Sequence, residues 1–265
     1  MEIIHLTIGT LKLEIHPSGE AAGAAAARDV ADFLQQRETR TSDMGVIFAT
    51  GASQLFTLRS LTAIPDLPWN KVCGFHLDEY VGLSPDHPAS FRHYLREHLT
   101  QLVPMKEFHE IDGNVADPDW MCQEYTHKLR LRNPQLCLLG VGENGHLAFN
   151  DPAEADFIDH QAMKLVNLDP VCRQQQLAEG WFKSFSEVPE QALTLTIPTL
   201  FNIPKLIVSV PGRRKAPIVR QMLEEPISTS CPATILRTHP DATIYLDRES
   251  AEELDSKLIS NSSLM

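Results

Sequence analysis

The chain has 265 residues, 43% hydrophobic and 22% charged, with a formal net charge of −12. That length suits one large α/β domain, and no apolar run nears the roughly 18 residues a membrane helix needs. The acidic balance excludes nucleic acid and anionic lipid as natural partners, and it would repel a phosphorylated ligand too unless cations gather in its pocket. Met1-Glu2-Ile3-Ile4-His5 has an early acid and no basic leader, so a secretory signal is not expected. The cysteines (Cys73, Cys122, Cys137, Cys172, Cys231) are scattered, odd in number and without metal-like spacing. They fit a reducing cytoplasm, and Cys73 and Cys137 sit in apolar runs that read as core.

In chain order, Ser18 followed by Glu20 and an alanine-rich run predicts a helix to about residue 36. Residues 45–49 read as a short apolar strand, broken by Thr50-Gly51-Ala52-Ser53, and residues 54–61 return to helical spacing. The unit recurs with a strand over 71–77 and a helix over 90–102. A helix over 120–131 then leads to the strand Leu136-Cys137-Leu138-Leu139. Residues 205–210 form a further strand, ended by Pro211-Gly212 and followed by a helix over about 215–223. Residues 242–246 make the last strand, with a charged helix after it and a frayed tail at Ser260-Asn261-Ser262-Ser263. Strands alternating with helices predict an α/β fold, a doubly wound, mostly parallel sheet with helices on both faces. It is Rossmann-like, with residues 1–265 as a single domain.

Four strand ends carry the chemistry, and in a parallel sheet such ends share one edge. The small residues Thr50, Gly51, Ala52 and Ser53 let backbone N–H groups approach an anion at a helix start, although ordinary strand-to-helix turns look the same. Asp78 and Glu79 are adjacent carboxylates whose repulsion raises at least one pKa if they face a dry pocket, as a carbon base requires. A solvated acidic turn is the plainer reading of the same pair. Gly140 to Pro152 packs three glycines, Asn144, His146 and Asp151 into one turn. There Phe149 and Asn150 can fold the loop back so that Asp151 orients the His146 ring. Gly212-Arg213-Arg214-Lys215 supplies the local positive field a phosphosugar would need. His76, Asp78 and His146 could in principle hold a divalent ion, but no spaced His or Cys cluster supports it, so no metal is expected.

With these residues in place the chain resembles the glucosamine-6-phosphate deaminase/isomerase family, which shares its fold with 6-phosphogluconolactonases. The likeness runs from about Phe48 to Asp247, and rests on Leu77-Asp78-Glu79-Tyr80-Val81-Gly82-Leu83, His87-Pro88-Ala89-Ser90-Phe91 and Gly142 to Pro152. Val188-Pro189-Glu190-Gln191-Ala192-Leu193-Thr194 and Leu236-Arg237-Thr238-His239-Pro240 are weaker echoes in the same order. The resemblance implies C–N hydrolysis coupled to aldose–ketose isomerisation. The pyranose opens, a proton moves between C2 and C1 through an enediol-type species, and ammonia leaves; no redox cofactor is needed. It implies Asp78 as the base at C2, His146 as the ring-opening acid/base, Asp151 as its orienting carboxylate, and a phosphate site at Gly51, Ser53 and Lys215. Thr50, Ala52, Glu79, Gly145, Arg173 and Arg214 are further expected substrate or phosphate contacts.

Asn144 stands where the family's deaminases have aspartate, and can orient a partner without ionising. Asp151 replaces a glutamate and is one methylene shorter, so the loop must come closer to His146. Gln176 falls near the family's phosphate-binding arginine, and Arg173, one helical turn earlier, could substitute. The charged residues that serve allosteric activation by an acetylated amino-sugar phosphate are not evident between Asp151 and Lys164, so none is expected. Other readings stay open: a galactosamine 6-phosphate isomerase, a 6-phosphogluconolactonase-type hydrolase using His146 toward water, and a non-catalytic sugar-phosphate binder. A homo-oligomer is also open, and the span from Asp151 to Arg173 is where a lid would sit.

Overall fold

The computed structural model describes residues 3–38, 43–178 and 180–255. A hairpin opens the described chain, with β1 (Ile4–Ile8) antiparallel to β2 (Leu11–His16). The sequence reading omits it, although apolar residues alternate on both sides of Gly9, whose φ of 62° makes the turn. Helix α1 (Gly19–Glu38) follows, with Ser18 Oγ accepting from the Ala21 N–H at 3.3 Å. Next come β3 (Met44–Phe48), α2 (Leu55–Thr62), β4 (Val72–His76), β5 (Asp78–Tyr80) and α3 (Phe91–Leu95). A π-helical turn, Arg96–Thr100, prolongs α3, so the helix expected over 90–102 is two geometries in sequence. Strand β6 (Glu107–His109), α4 (Pro118–Arg132) and β7 (Leu136–Leu139) precede β8 (Met163–Asn167), α5 (Pro170–Ala178) and β9 (Gln191–Leu195). The described chain closes with α6 (Ile197–Phe201), β10 (Lys205–Val210), α7 (Ala216–Glu224) and β11 (Ala242–Asp247).

The main sheet runs β1-β2-β11-β10-β7-β3-β4-β6, and every pair after the opening hairpin is parallel. From β3 the chain winds outward through β4 to β6, then returns to the other flank of β3 at β7 and winds out through β10 to β11. This reversal between β3 and β7 leaves a crevice beyond their carboxyl ends, the usual ligand position in open α/β sheets. Helices cover both faces, as expected. Val46 and Phe48 pack with Val30 and Leu34 of α1 and Leu58 and Leu61 of α2. Ile47, Cys137 and Val208 pack on the opposite side with Tyr125 of α4 and Met222 of α7. A strand buried on both faces reads as an unbroken apolar run, which is why β3, β7 and β10 are legible in the sequence.

A second, antiparallel sheet, β5-β9-β8, is not anticipated by the sequence reading. It changes the environment of Asp78 and Glu79, which occupy a strand rather than a solvated turn. Successive strand side chains point to opposite sides. Asp78 lines the crevice, whereas the buried Glu79 carboxylate accepts from Ser90 Oγ at 2.8 Å, the Arg92 N–H at 3.0 Å and Arg92 Nε at 3.2 Å. Ser90 is the N-cap of α3, so Glu79 fixes that helix start and, unlike Asp78, does not line the crevice where a substrate contact was expected of it. The segment after β11 is also corrected. Residues 248–254 form turns and a bend rather than a charged helix, and the Asp247 carboxylate takes the Ser250 N–H at 2.7 Å and the Gly212 N–H at 3.0 Å. The tail expected to fray, Ser260 to Ser263, lies outside the described residues.

Truncating Glu79 to alanine removes the buried carboxylate from Arg92 Nε and leaves the guanidinium with only the half-exposed Asp112, at 2.8 Å, as its anionic partner. Glu79→Ala is expected to cost about 3–5 kcal/mol, read as a lower urea midpoint. An unchanged midpoint would refute the structural role given to this residue.

Candidate active site

The crevice is floored by the exits of β3 and β7. After β3, Gly51 has φ 91° and ψ 172°, a backbone conformation that favours glycine, and starts a single 3-10 turn over Ala52–Gln54. The Tyr94 hydroxyl donates to Gly51 O at 2.9 Å, and Gln54 Nε2 donates to Leu139 O at 3.2 Å, tying this turn to β7. The exit of β10 repeats the design: Gly212 has φ 95° and precedes a 3-10 turn, Arg213–Lys215, that leads into α7. Lys215 Nζ donates to Val141 O at 2.9 Å, which brings the ammonium to the β7 exit. Thr50, Gly51, Ala52, Ser53 and Lys215 all line the same crevice, as expected of an anion site.

Asp78 lines the crevice at 6% exposure, and no described residue donates a hydrogen bond to its carboxyl. Burial, with the Glu79 charge beside it, pushes its pKa well above the ordinary carboxylate range. His146 lies in the crevice too, placed by the loop it belongs to. A Cβ at Gly142 would come within 2.3 Å of the His146 ring, so only glycine leaves the ring its place. Gly142 N donates to His146 O at 3.0 Å, and Ala148 turns the chain with φ 51°. Asn150 Nδ2 then holds Leu147 O and Leu195 O, each at 2.8 Å, which folds the loop back as expected.

The fold-back sets Asp151 Oδ1 2.9 Å from His146 Nδ1, although the ring N–H is off the line of an ideal hydrogen bond. Asn144 Nδ2 donates to the same oxygen at 2.8 Å, while Asn144 Oδ1 accepts the His146 backbone N–H at 3.1 Å. Asn144 is thus oriented for support of both partners, and the shorter Asp151 reaches the ring because the loop closes tightly. Burial raises the Asp151 pKa, but His146, Asn144 and the Cys172 thiol outweigh it and hold the carboxyl below its usual value. Two carboxylates therefore differ in opposite directions within one site, the pattern that separates acid and base roles.

Several expected contacts lie elsewhere. Arg173 donates to Phe185 O at 3.1 Å and Val188 O at 2.8 Å and stacks on the Phe185 ring, so it does not substitute in the crevice. Gln176 lines the crevice instead, with Oε1 accepting from the Tyr80 hydroxyl at 2.8 Å. Arg214 is exposed and pairs with Glu143 at 2.8 Å, outside the crevice. Gly145 is a packing residue: a Cβ there would meet Cys231 Sγ at 2.7 Å. His76 is buried, accepts the Ile111 N–H at 2.7 Å, and is held neutral by burial with its pKa down to about 3. Tyr94 and Trp181 also line the crevice, and no local motif marks either as a site residue.

A family model for glucosamine-6-phosphate isomerases/6-phosphogluconolactonase matches residues 17–245. A glucosamine-6-phosphate deaminase of Exiguobacterium sibiricum is 33% identical over 258 residues, 97% of this chain and 90% of that protein. A Geobacillus glucosamine-6-phosphate deaminase is 32% identical over 231 residues, 84% of this chain and 89% of that protein. Among solved structures, a monomeric glucosamine-6-phosphate deaminase superposes with a TM-score of 0.83 at 30% identity, covering 91% of this chain and 99% of that one. A 6-phosphogluconolactonase from Trypanosoma brucei superposes at 0.74 with 19% identity, covering 91% and 98%, which shows the shared fold.

A buried carboxyl whose folded pKa is raised stabilises the fold only while protonated. Its contribution is complete below the unfolded pKa and is lost as pH rises toward the folded value. Asp78→Asn removes that loss, so the variant is expected to exceed the parent at pH 7 by at least ~1 kcal/mol, about 2–4 °C in Tm. The gap should shrink toward pH 4. Calorimetry across that range checks it, and equal stability at pH 7 would contradict the burial argument.

Proposed function

The chain belongs to the glucosamine-6-phosphate isomerase/6-phosphogluconolactonase family, and on that premise we propose that it is a glucosamine-6-phosphate deaminase. The phosphate lies at Gly51, Ser53 and Lys215, where a lysine ammonium and small-residue backbone supply local positive potential in a chain of formal net charge −12. His146, oriented by Asp151 and Asn144, moves the proton that opens the pyranose ring and exposes the C1 aldehyde. Asp78 removes the C2 proton, and the electron pair passes into the C1–C2 bond as the carbonyl oxygen is protonated. A proton returned at C1 leaves a C2 imine. Water adds to it, ammonia departs and a ketose 6-phosphate remains. The C–N cleavage is thus a hydrolysis that depends on isomerisation. The enzyme works in the cytoplasm as one domain without a redox cofactor.

The observation that carries this reading is Asp78: a carboxyl in the crevice, without a described hydrogen-bond donor and tuned upward by burial. A base that takes a proton from carbon needs that tuning. A lactonase needs His146 to activate water and has no use for such a group. The His146–Asp151 pair would serve either chemistry, so it does not discriminate.

Ammonia release should be assayed with glucosamine 6-phosphate and galactosamine 6-phosphate, with 6-phosphogluconolactone hydrolysis beside them. Ammonia is expected from an amino sugar, and Asp78→Asn is expected to lower kcat at least ~100-fold while remaining folded. Lactone hydrolysis without ammonia would overturn the proposal in favour of the hydrolase, and silence on all three would favour a non-catalytic binder. Because Asp78 must lose its proton to act, kcat/KM should rise with pH through an acid limb displaced above the usual carboxylate range.

A further inference from the structure

His146 and Asp151 share one loop and Cys172 comes from α5, yet their ligand atoms all lie within 4.8 Å of one another. Imidazole nitrogen, carboxylate oxygen and thiol sulfur together form the mixed donor set that tetrahedral zinc accepts, with a fourth position left for water. Two of these donors are poorly used by the protein. Asp151 Oδ2 is buried without a well-formed hydrogen bond, and the His146 Nδ1–H is off line to Asp151 Oδ1. Asp151 and Cys172 are fully buried, whereas His146 is 13% exposed and lines the crevice, which gives an ion a route in. Among the described residues no other trio of His, Cys, Asp or Glu meets in this way. The spacing gives no hint of it, because Cys172 stands on α5, far from the loop that carries the other two.

We propose that His146, Asp151 and Cys172 form an inhibitory site for a borderline-soft divalent cation, zinc above all. The turnover proposed above needs no metal, and a bound ion works against it. Coordination takes the Nδ1 lone pair of the ring, whose proton shifts to Nε2, and the Asp151 carboxylate together, and the thiol enters as thiolate, its proton leaving to solvent. His146 then cannot be oriented by Asp151 or cycle a proton through the same tautomer. Harder ions such as magnesium, which prefer six oxygen ligands, do not fit a set containing sulfur and nitrogen.

Cobalt(II) reports such a site without any substrate, so the result is independent of which sugar the enzyme takes. Titration of the full chain with cobalt alone is expected to give one equivalent of a tetrahedral spectrum with a thiolate-to-metal charge-transfer band, displaced by zinc. Cys172→Ala should abolish the band and weaken zinc binding at least ~10-fold in chelator competition. Cys172→Ser, nearly isosteric, should do the same and keeps the test open if the alanine variant does not fold. With the amino-sugar substrate, zinc should lower wild-type turnover at least ~10-fold and leave the Cys172 variants far less affected. No charge-transfer band in folded wild-type protein, or a band that survives both Cys172 variants, would overturn the proposal. A band without inhibition would overturn its inhibitory part alone.

Discussion

Thr194 and Leu195 of β9 bond to both acid–base segments at once. Thr194 is in register with Asp78 and accepts the Phe149 N–H at 3.1 Å, while Leu195 donates to Leu77 O at 2.8 Å and accepts from Asn150 Nδ2 at 2.8 Å. Asp78 and His146 are distant in sequence and belong to different strand exits. They share a crevice because one strand of the small sheet clamps the β5 segment and the His146 loop with three hydrogen bonds and one register pairing. The main sheet supplies the opening between β3 and β7; the small sheet supplies the alignment.

Electrostatics then assigns the groups different work. Asp78 receives no hydrogen bond at its carboxyl from the described residues and is destabilised as an anion by burial beside Glu79. Asp151 is as buried, but His146, Asn144 and Cys172 favour its anion. The same functional group is therefore pushed toward its neutral form in one place and held as a fixed anion in the other. Asn144 suits this division, because its amide donates to Asp151 at 2.8 Å where an ionised aspartate would repel it. Glu79 shows the other fate of a buried carboxylate: fully used by Ser90 and Arg92, it secures the start of α3.

Much of this is legible in the sequence. The strands of the parallel core are continuous apolar runs, the phosphate-type turn after β3 is marked by Gly51, and the histidine loop by its glycines. Asp78, His146, Asp151 and Lys215 come to the crevice region as the motifs imply. What escaped depends on long-range pairing. Strands β5, β8 and β9 gain identity only from one another, and the three-residue β5 looks like an acidic turn. Arg173 and Gln176 share a helix, but which of them faces the crevice is set by the loop at Phe185 and Val188, and no local pattern encodes that. Arg214 and Lys215 are adjacent cations with opposite outcomes, since Glu143 captures one and the Val141 carbonyl anchors the other.

The central claim is that Asp78 takes a proton from carbon. Glucosamine 6-phosphate deuterated at C2 tests it most directly, by following the label through turnover. The account predicts a slower reaction with this substrate, with deuterium lost from C2 and recovered at C1 of the ketose or in solvent for every ammonia released. Ammonia accompanied by deuterium still at C2 would contradict it, because the C–N bond would then break by direct displacement and Asp78 would not be a carbon base.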